Sequence, residues 1–250
     1  MIPDTLFIIP YRDREMHKRF FIRHMSYIME DIDPDTYKIL FIHQQDEEPF
    51  NRGAMKNIGF LVGKALYPND YGKITFVFHD IDTFPFEKNT LNYKTTENVV
   101  KHFYGFTFTL GGIVSILGCD FEKINGFPNL WSWGYEDNAL QDRVLSHNIK
   151  IDRSVFYPIL NQDFMHLHHG AFRDVNPQEK IRYKSKTDEG LSDVTLNEYT
   201  IDDNMVNVTS FKTRYLPRKD LQTAKALGIP EPPSPLMRMN MTTNWKKSKR

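Results

Sequence analysis

Ile74-Thr75-Phe76-Val77-Phe78 runs straight into His79-Asp80-Ile81-Asp82. A short apolar, β-branched and aromatic run with acids directly behind it reads as a buried strand ending at a polar rim. Two comparable runs precede it, Leu6-Phe7-Ile8-Ile9, ended by Pro10, and Lys38-Ile39-Leu40-Phe41-Ile42. Helix-period segments separate them. Residues 15 to 30 place Met16, Phe20, Phe21, Met25 and Ile28 at helical spacing. Residues 52 to 66 do the same with Met55, Ile58, Leu61, Val62 and Ala65, until Pro68-Asn69-Asp70 breaks the pattern. Strand, helix, strand, helix, strand predicts an α/β fold: a twisted, mostly parallel, Rossmann-like sheet with helices on both faces.

Downstream the pattern loosens. Gly111-Gly112 precedes a strand-like Ile113-Val114-Ser115-Ile116, Asn125-Gly126-Phe127-Pro128 reads as a turn, and a helix starts near Glu136, carrying Leu140, Val144 and Leu145. Ile149 to Phe156 reads as a further strand, followed by Met165-His166-Leu167-His168-His169-Gly170. From residue 216 the character changes. Prolines at 217, 230, 232, 233 and 235 give way to five basic residues and no acid over positions 237–250, which predicts an extended or partly disordered tail.

Composition narrows the classes. The chain has 250 residues, 32 Lys+Arg balanced by 32 Asp+Glu, and 40% hydrophobic residues. This is a globular protein without the basic surface of a nucleic-acid binder. The single cysteine, Cys119, excludes an intrachain disulfide framework and a multi-cysteine zinc site. No apolar stretch is long enough to span a membrane, and no signal peptide opens the chain. The expectation is a soluble chain in a cytoplasmic or cytoplasm-like compartment, or a piece of something longer.

Ligands of open α/β sheets bind beyond the carboxyl ends of the strands. Three polar clusters follow the strands there: Pro10-Tyr11-Arg12-Asp13-Arg14, Phe50-Asn51-Arg52-Gly53 and His79-Asp80-Ile81-Asp82. Arginines at such a place suit bidentate pairing with phosphate, although most arginines are ordinary surface residues. Asp80-Ile81-Asp82 is either a solvated loop or, if the chain turns there, a carboxylate pair facing one ligand. His166-Leu167-His168 is either a surface pair or two imidazole ligands that Asp82 would complete into an open metal site. Trp131-Ser132-Trp133-Gly134-Tyr135-Glu136-Asp137 joins aromatic faces suited to sugar rings with two carboxylates, one able to act as general base. The same residues also fit core tryptophans ahead of an acid-favouring helix N-terminus.

In this order, and with Gly111-Gly112 and Ile124-Asn125-Gly126-Phe127-Pro128-Asn129 between them, the motifs resemble the β-1,4-galactosyltransferase family. Asp188-Glu189-Gly190-Leu191 echoes a later family segment, and His166-Leu167-His168 resembles the branch that uses a xylose acceptor in the proteoglycan linker. The likeness runs from about Leu6 to about Tyr215. It implies a GT-A fold over residues 1–215, with a donor half to about 100 and an acceptor half over 101–215. It implies an inverting, Mn²⁺-dependent transfer of galactose or N-acetylgalactosamine from a UDP-sugar to a carbohydrate acceptor. Pro10, Tyr11, Arg12, Arg14, Phe50, Arg52, Asp80, Thr109 and Gly112 would hold the sugar donor. Asp82, His166 and His168 would bind Mn²⁺. Trp133, Tyr135 and Glu136 would hold the acceptor, and Asp137 would be the general base.

Departures from the family pattern bear on substrate. Asn138 and Ala139 stand where acids usually follow the Glu-Asp pair, and Tyr135 is bulky where many members have glycine. Thr109 falls where the family separates galactose from N-acetylgalactosamine donors, and its small side chain leaves room for an N-acetyl group. Two other classes stay open beside the transferase. One is a catalytically inactive UDP- or glycan-binding relative, which Asn138 and Ala139 would suit. The other is a metal-dependent hydrolase built on Asp80, Asp82, His166 and His168.

Overall fold

The alternation expected in the first half is present as β1 (Thr5–Tyr11), α1 (Glu15–Ile28), β2 (Tyr37–Gln44), α2 (Arg52–Leu66) and β3 (Thr75–His79). The structure, a computed structural model, describes residues 1–170, 172–217 and 221–225. After the acidic turn come β4 (Thr83–Pro85), β5 (Val99–Gly105), β6 (Ile113–Leu117), α3 (Gly118–Lys123) and α4 (Glu136–Ser146). Next are β7 (Lys150–Asp152), β8 (Tyr157–Pro158), β9 (Phe164–His166), β10 (Phe172–Val175) and α5 (Pro177–Lys184). The hairpin β11 (Thr195–Asp202) and β12 (Met205–Lys212), then β13 (Gln222–Lys225), close the described chain.

Among the described residues, nine strands form the main sheet, in the order β11-β12-β2-β1-β3-β6-β5-β7, with β8 also on β5. β1 is parallel to β2 and β3, and β12 is parallel to β2. β6 runs antiparallel to both β3 and β5. The sheet is therefore mixed but mostly parallel. Two small antiparallel ribbons, β4–β9 and β10–β13, stand apart from it.

Alternation along the strands builds two cores. Leu6, Ile8, Leu40 and Ile42 face α2, where Ala54, Met55, Ile58 and Phe60 are buried. Phe7, Ile9 and Phe41 face α1, where Phe21, Met25 and Ile28 are buried. Phe21 is wholly buried, and burying such a side chain contributes roughly 1.5–3 kcal/mol. Among the described residues, no helix is long and apolar enough to cross a membrane.

Three departures from the sequence reading have local causes. The strand expected over 149–156 is realised only as β7; Arg153, the next residue, donates from Nε to His102 Nδ1 at 2.9 Å, and β8 begins beyond the expected stretch, at Tyr157. The hairpin β11–β12 extends the sheet beyond β2 and was not anticipated. The stretch after 215, expected as tail, includes β13, which pairs with β10. The basic positions of that tail lie outside the described residues.

Candidate active site

The rim beyond β1, β2 and β3 opens onto a cavity of about 360 Å³. Pro10, Arg12, Arg14, Phe50, Arg52, Asp80, Asp82, Trp133 and His166 line it, as the strand-end argument expects. Arg12 donates to the carbonyls of Asp46 and Glu48, so it braces the loop after β2. Arg52 stacks on Phe50 at 5.1 Å. Arg14 is half-buried, and its Nη1 finds no partner. Burial pushes its guanidinium down to about 10. Asp82 opposes that shift, and Arg52 and Arg173 add to it. Four guanidiniums, those of Arg12, Arg14, Arg52 and Arg173, line this one cavity and form a place for a polyanion. Tyr11 does not join them. It is buried in the core beside Phe41, and its hydroxyl donates to Glu15 at 3.2 Å.

Asp82 and His166 are brought together by the β4–β9 ribbon, which pairs Thr83 with His166. Leu167 N–H donates to the Asp82 carbonyl at 2.7 Å. His166 Nδ1 is buried without a partner. A carboxylate beside an unmatched imidazole nitrogen is a donor pair that suits a divalent ion. His168, the expected third ligand, is exposed and lines neither cavity, while His169 lines the first. The cause is local. β9 ends at His166, so the alternation that would put residues two apart on one face stops there. Among the described residues, no group of three His, Cys, Asp or Glu side chains is assembled for a metal ion.

A second cavity, about 600 Å³, shares Arg52, Asp80, Trp133 and His166 with the first. Thr109, Gly112, Tyr135, Glu136 and Asp137 line it, together with the unanticipated Phe106, Phe108, Gln222 and Ala224. Tyr135 holds φ 72° immediately before α4 and stacks on Tyr183 at 5.2 Å. That turn delivers Glu136 and Asp137 to the first turn of α4, where the helix dipole favours acids. Asn138 lines the cavity and donates to the Phe108 carbonyl at 3.3 Å. Ala139 is buried, so an acid there would be a buried charge.

Electrostatics single out the carboxylates. Burial pushes Asp80 up to about 6, against Lys56 and with Asp82. Burial also raises Glu136, whose Oε2 has no partner, and Asp137 adds to the shift. Asp137 is raised by burial and pulled back by Lys56, whose Nζ lies 2.8 Å from Oδ1. Gly111 and Gly112 make room beside them. A Cβ on Gly111 would stand 2.4 Å from Asp137 Oδ2, and Gly112 holds φ +76° with the Tyr104 carbonyl 2.3 Å from any Cβ. The loop between Gly105 and Gly111 is pinned by His102, whose Nε2 lies 3.0 Å and 2.9 Å from the carbonyls of Tyr104 and Gly111.

Lys56 and Arg173 escaped the sequence reading. The signal for Lys56 was a lysine at a position between Met55 and Ile58 where α2 is buried. The signal for Arg173 was only its closeness to the histidine cluster.

A family profile described as the N-terminal region of glycosyl transferase group 7 matches residues 3–95. One described as the N-terminal domain of galactosyltransferase matches residues 93–169. β-1,4-Galactosyltransferase 4 of Cricetulus griseus is 34% identical over 157 residues, 58% of this chain and 44% of that protein. The chain spans about half the length, or less, of the curated relatives it matches. The catalytic domain of Drosophila β-1,4-galactosyltransferase 7, solved with xylobiose, superposes with a TM-score of 0.68. It is 22% identical, covering 83% of this chain and 94% of that one. A mutant of the same enzyme, solved with manganese, UDP-Gal and xylobiose, gives 0.61 at 20% identity over the same shares, 83% and 94%. The architecture is thus the GT-A fold. The two profiles run in tandem through most of the sheet and the site, and the chain belongs to the β-1,4-galactosyltransferase family.

Proposed function

We propose that the chain transfers a hexose, galactose or N-acetylgalactosamine, from a UDP-sugar to a hydroxyl of a carbohydrate acceptor, with inversion. One observation carries the reading: a guanidinium-lined cavity and an aromatic, carboxylate-lined cavity meet at Arg52, Asp80, Trp133 and His166. The first suits a nucleoside diphosphate and the second a sugar. The Drosophila relative solved with UDP-Gal and xylobiose supports that division and makes xylosides the first acceptors to try.

Arg14, Arg52 and Arg173 would hold the diphosphate and offset the charge that grows on it as it leaves. Asp82 and His166 would hold Mn²⁺, which supplies further positive charge at the leaving diphosphate when bound. His168 joins them only if the chain after β9 turns inward. Trp133, at the junction, would cover both sugars. Glu136 would orient the acceptor. Asp137 would take the proton of the acceptor hydroxyl as that oxygen bonds to the anomeric carbon, on the face opposite the departing UDP. A single displacement inverts the centre, so a UDP-α-sugar gives a β-linkage.

The test is UDP release from UDP-Gal and UDP-GalNAc with Mn²⁺, with and without xylosides, glucosaminides and glucosides. Release accelerated by one acceptor class and lost on chelation supports the transferase. Release to water that no acceptor speeds up would point to a hydrolase. UDP binding without turnover would point to an inactive relative.

A further inference from the structure

We infer that Lys56 is a positioning residue for the base, holding Asp137 ionised and oriented from beneath the acceptor cavity without touching substrate. The inference rests on the assignment of Asp137 as base.

Lys56 is 3% exposed and lines neither cavity. A buried ammonium is costly; Ala54, Met55 and Ile58 beside it on α2 are apolar, and the buried Asn57 is matched by the Phe127 carbonyl and Asn129 rather than by Lys56. The charge instead meets Asp137 Oδ1 at 2.8 Å and lies 4.5 Å from the centroid of the Phe127 ring. Burial works against the ammonium, and Asp137, Asp80 and Glu136 outweigh it, raising it above its ordinary value. Arg52 stands one helical turn earlier on the same face and lines both cavities. One face of α2 thus serves the diphosphate side and the base.

The groups that act on Asp137 are Lys56 and Arg52 from α2, Asp80 from the rim after β3, and Glu136 from α4. Without Lys56, burial and two neighbouring carboxylates would favour the protonated form, which cannot accept a proton. With Lys56 on Oδ1, Oδ2 is the oxygen left for the acceptor hydroxyl. Gly111 lies against that same Oδ2 and has no side chain to cover it.

The test compares Lys56→Met, Lys56→Arg and Asp137→Asn with the parent chain. Turnover is measured from pH 5 to 9, with UDP affinity and melting temperature alongside. Losing an opposite charge at this range should move the acid limb of kcat/KM up by about one unit or more in Lys56→Met. On the acid side of that limb its turnover should fall roughly tenfold and recover as pH rises, with UDP affinity little changed. Lys56→Arg should return the limb most of the way. Lys56→Gln, which keeps a hydrogen-bond donor without charge, gives the same readout if the methionine variant does not fold. An unmoved limb in the neutral variants, whether turnover is normal or uniformly reduced, overturns the inference and leaves Lys56 a structural tie. Full turnover in Asp137→Asn would instead overturn the base assignment, whatever Lys56 does.

Discussion

Arg14 sets stability against function at a single side chain. Its Nη1 is buried and unmatched, and burial together with Arg52 and Arg173 outweighs the pull of Asp82 on this half-buried side chain. Removing an unsatisfied buried charge relieves the folded state. Arg14→Met should therefore melt no lower than the parent chain, yet bind UDP roughly tenfold more weakly, since a charge-assisted bond to phosphate is worth about 1.5–3 kcal/mol. A lower melting temperature with unchanged UDP affinity in calorimetry would contradict this. Gly111 makes the opposite case. A methyl group there meets Asp137 Oδ2 at 2.4 Å, and Lys56 leaves that carboxylate little freedom to yield. Gly111→Ala should cut turnover about a hundredfold while UDP binding holds, because a displaced catalytic group of this kind loses about that much.

At the level of elements, the β10–β13 ribbon is the addition that shapes the second cavity, the one proposed to take the acceptor. Trp133 N–H donates to the Asp174 carbonyl of β10 at 2.9 Å, and Gln222 and Ala224 of β13 line the cavity wall. Ala224→Phe should raise the acceptor KM roughly tenfold with the UDP-sugar KM unchanged, because lost space in a binding pocket costs about 1–3 kcal/mol. Equal effects on both substrates would show that the ribbon serves the fold rather than the cavity. This ribbon also marks where the sequence stopped being readable. β1, β2, α2 and β3 announce themselves by local period, and Asp80, Asp82, Arg52 and Asp137 follow from strand ends and a helix start. β13 is four residues of no distinctive pattern, and only its partner 50 positions earlier makes it a strand. His168 was legible as a residue type but not as a direction, since that depends on where β9 ends. Lys56 was hidden because a buried lysine is defined by the carboxylates opposite it, which come from α4 and the rim after β3.

For the molecule as a whole, His102 links stability to pH. Arg153 donates to its Nδ1, and its Nε2–H serves two carbonyls, so the ring must be neutral. Burial pushes His102 down to about 4, with Arg153 adding to the shift. The unfolded chain, with an ordinary histidine near 6.5, then takes up the proton first. This contribution is complete above about pH 6.5 and is lost as pH falls through about 4, to the order of 3 kcal/mol. The raised carboxyls of Glu136 and Asp137 act with the opposite sign. The histidine part is isolated by comparing the parent chain with His102→Gln in denaturant melts from pH 7 to 4. The gap between them should narrow on acidification, and a constant gap would contradict the account. The same imidazole has a consequence for change over longer times. Because β6 runs against β3, the chain reaches the site through the first residues of β6, and Asp80 N–H donates to the Gly112 carbonyl at 2.9 Å. The segment between Gly105 and Gly111 leaves and returns at points tied by one ring. It is built as a cassette: its two ends are held by one ring while Phe106, Phe108 and Thr109 face the second cavity, so on the proposed reading a change in its length or side chains would alter the sugar held there and leave the acids and guanidiniums in place.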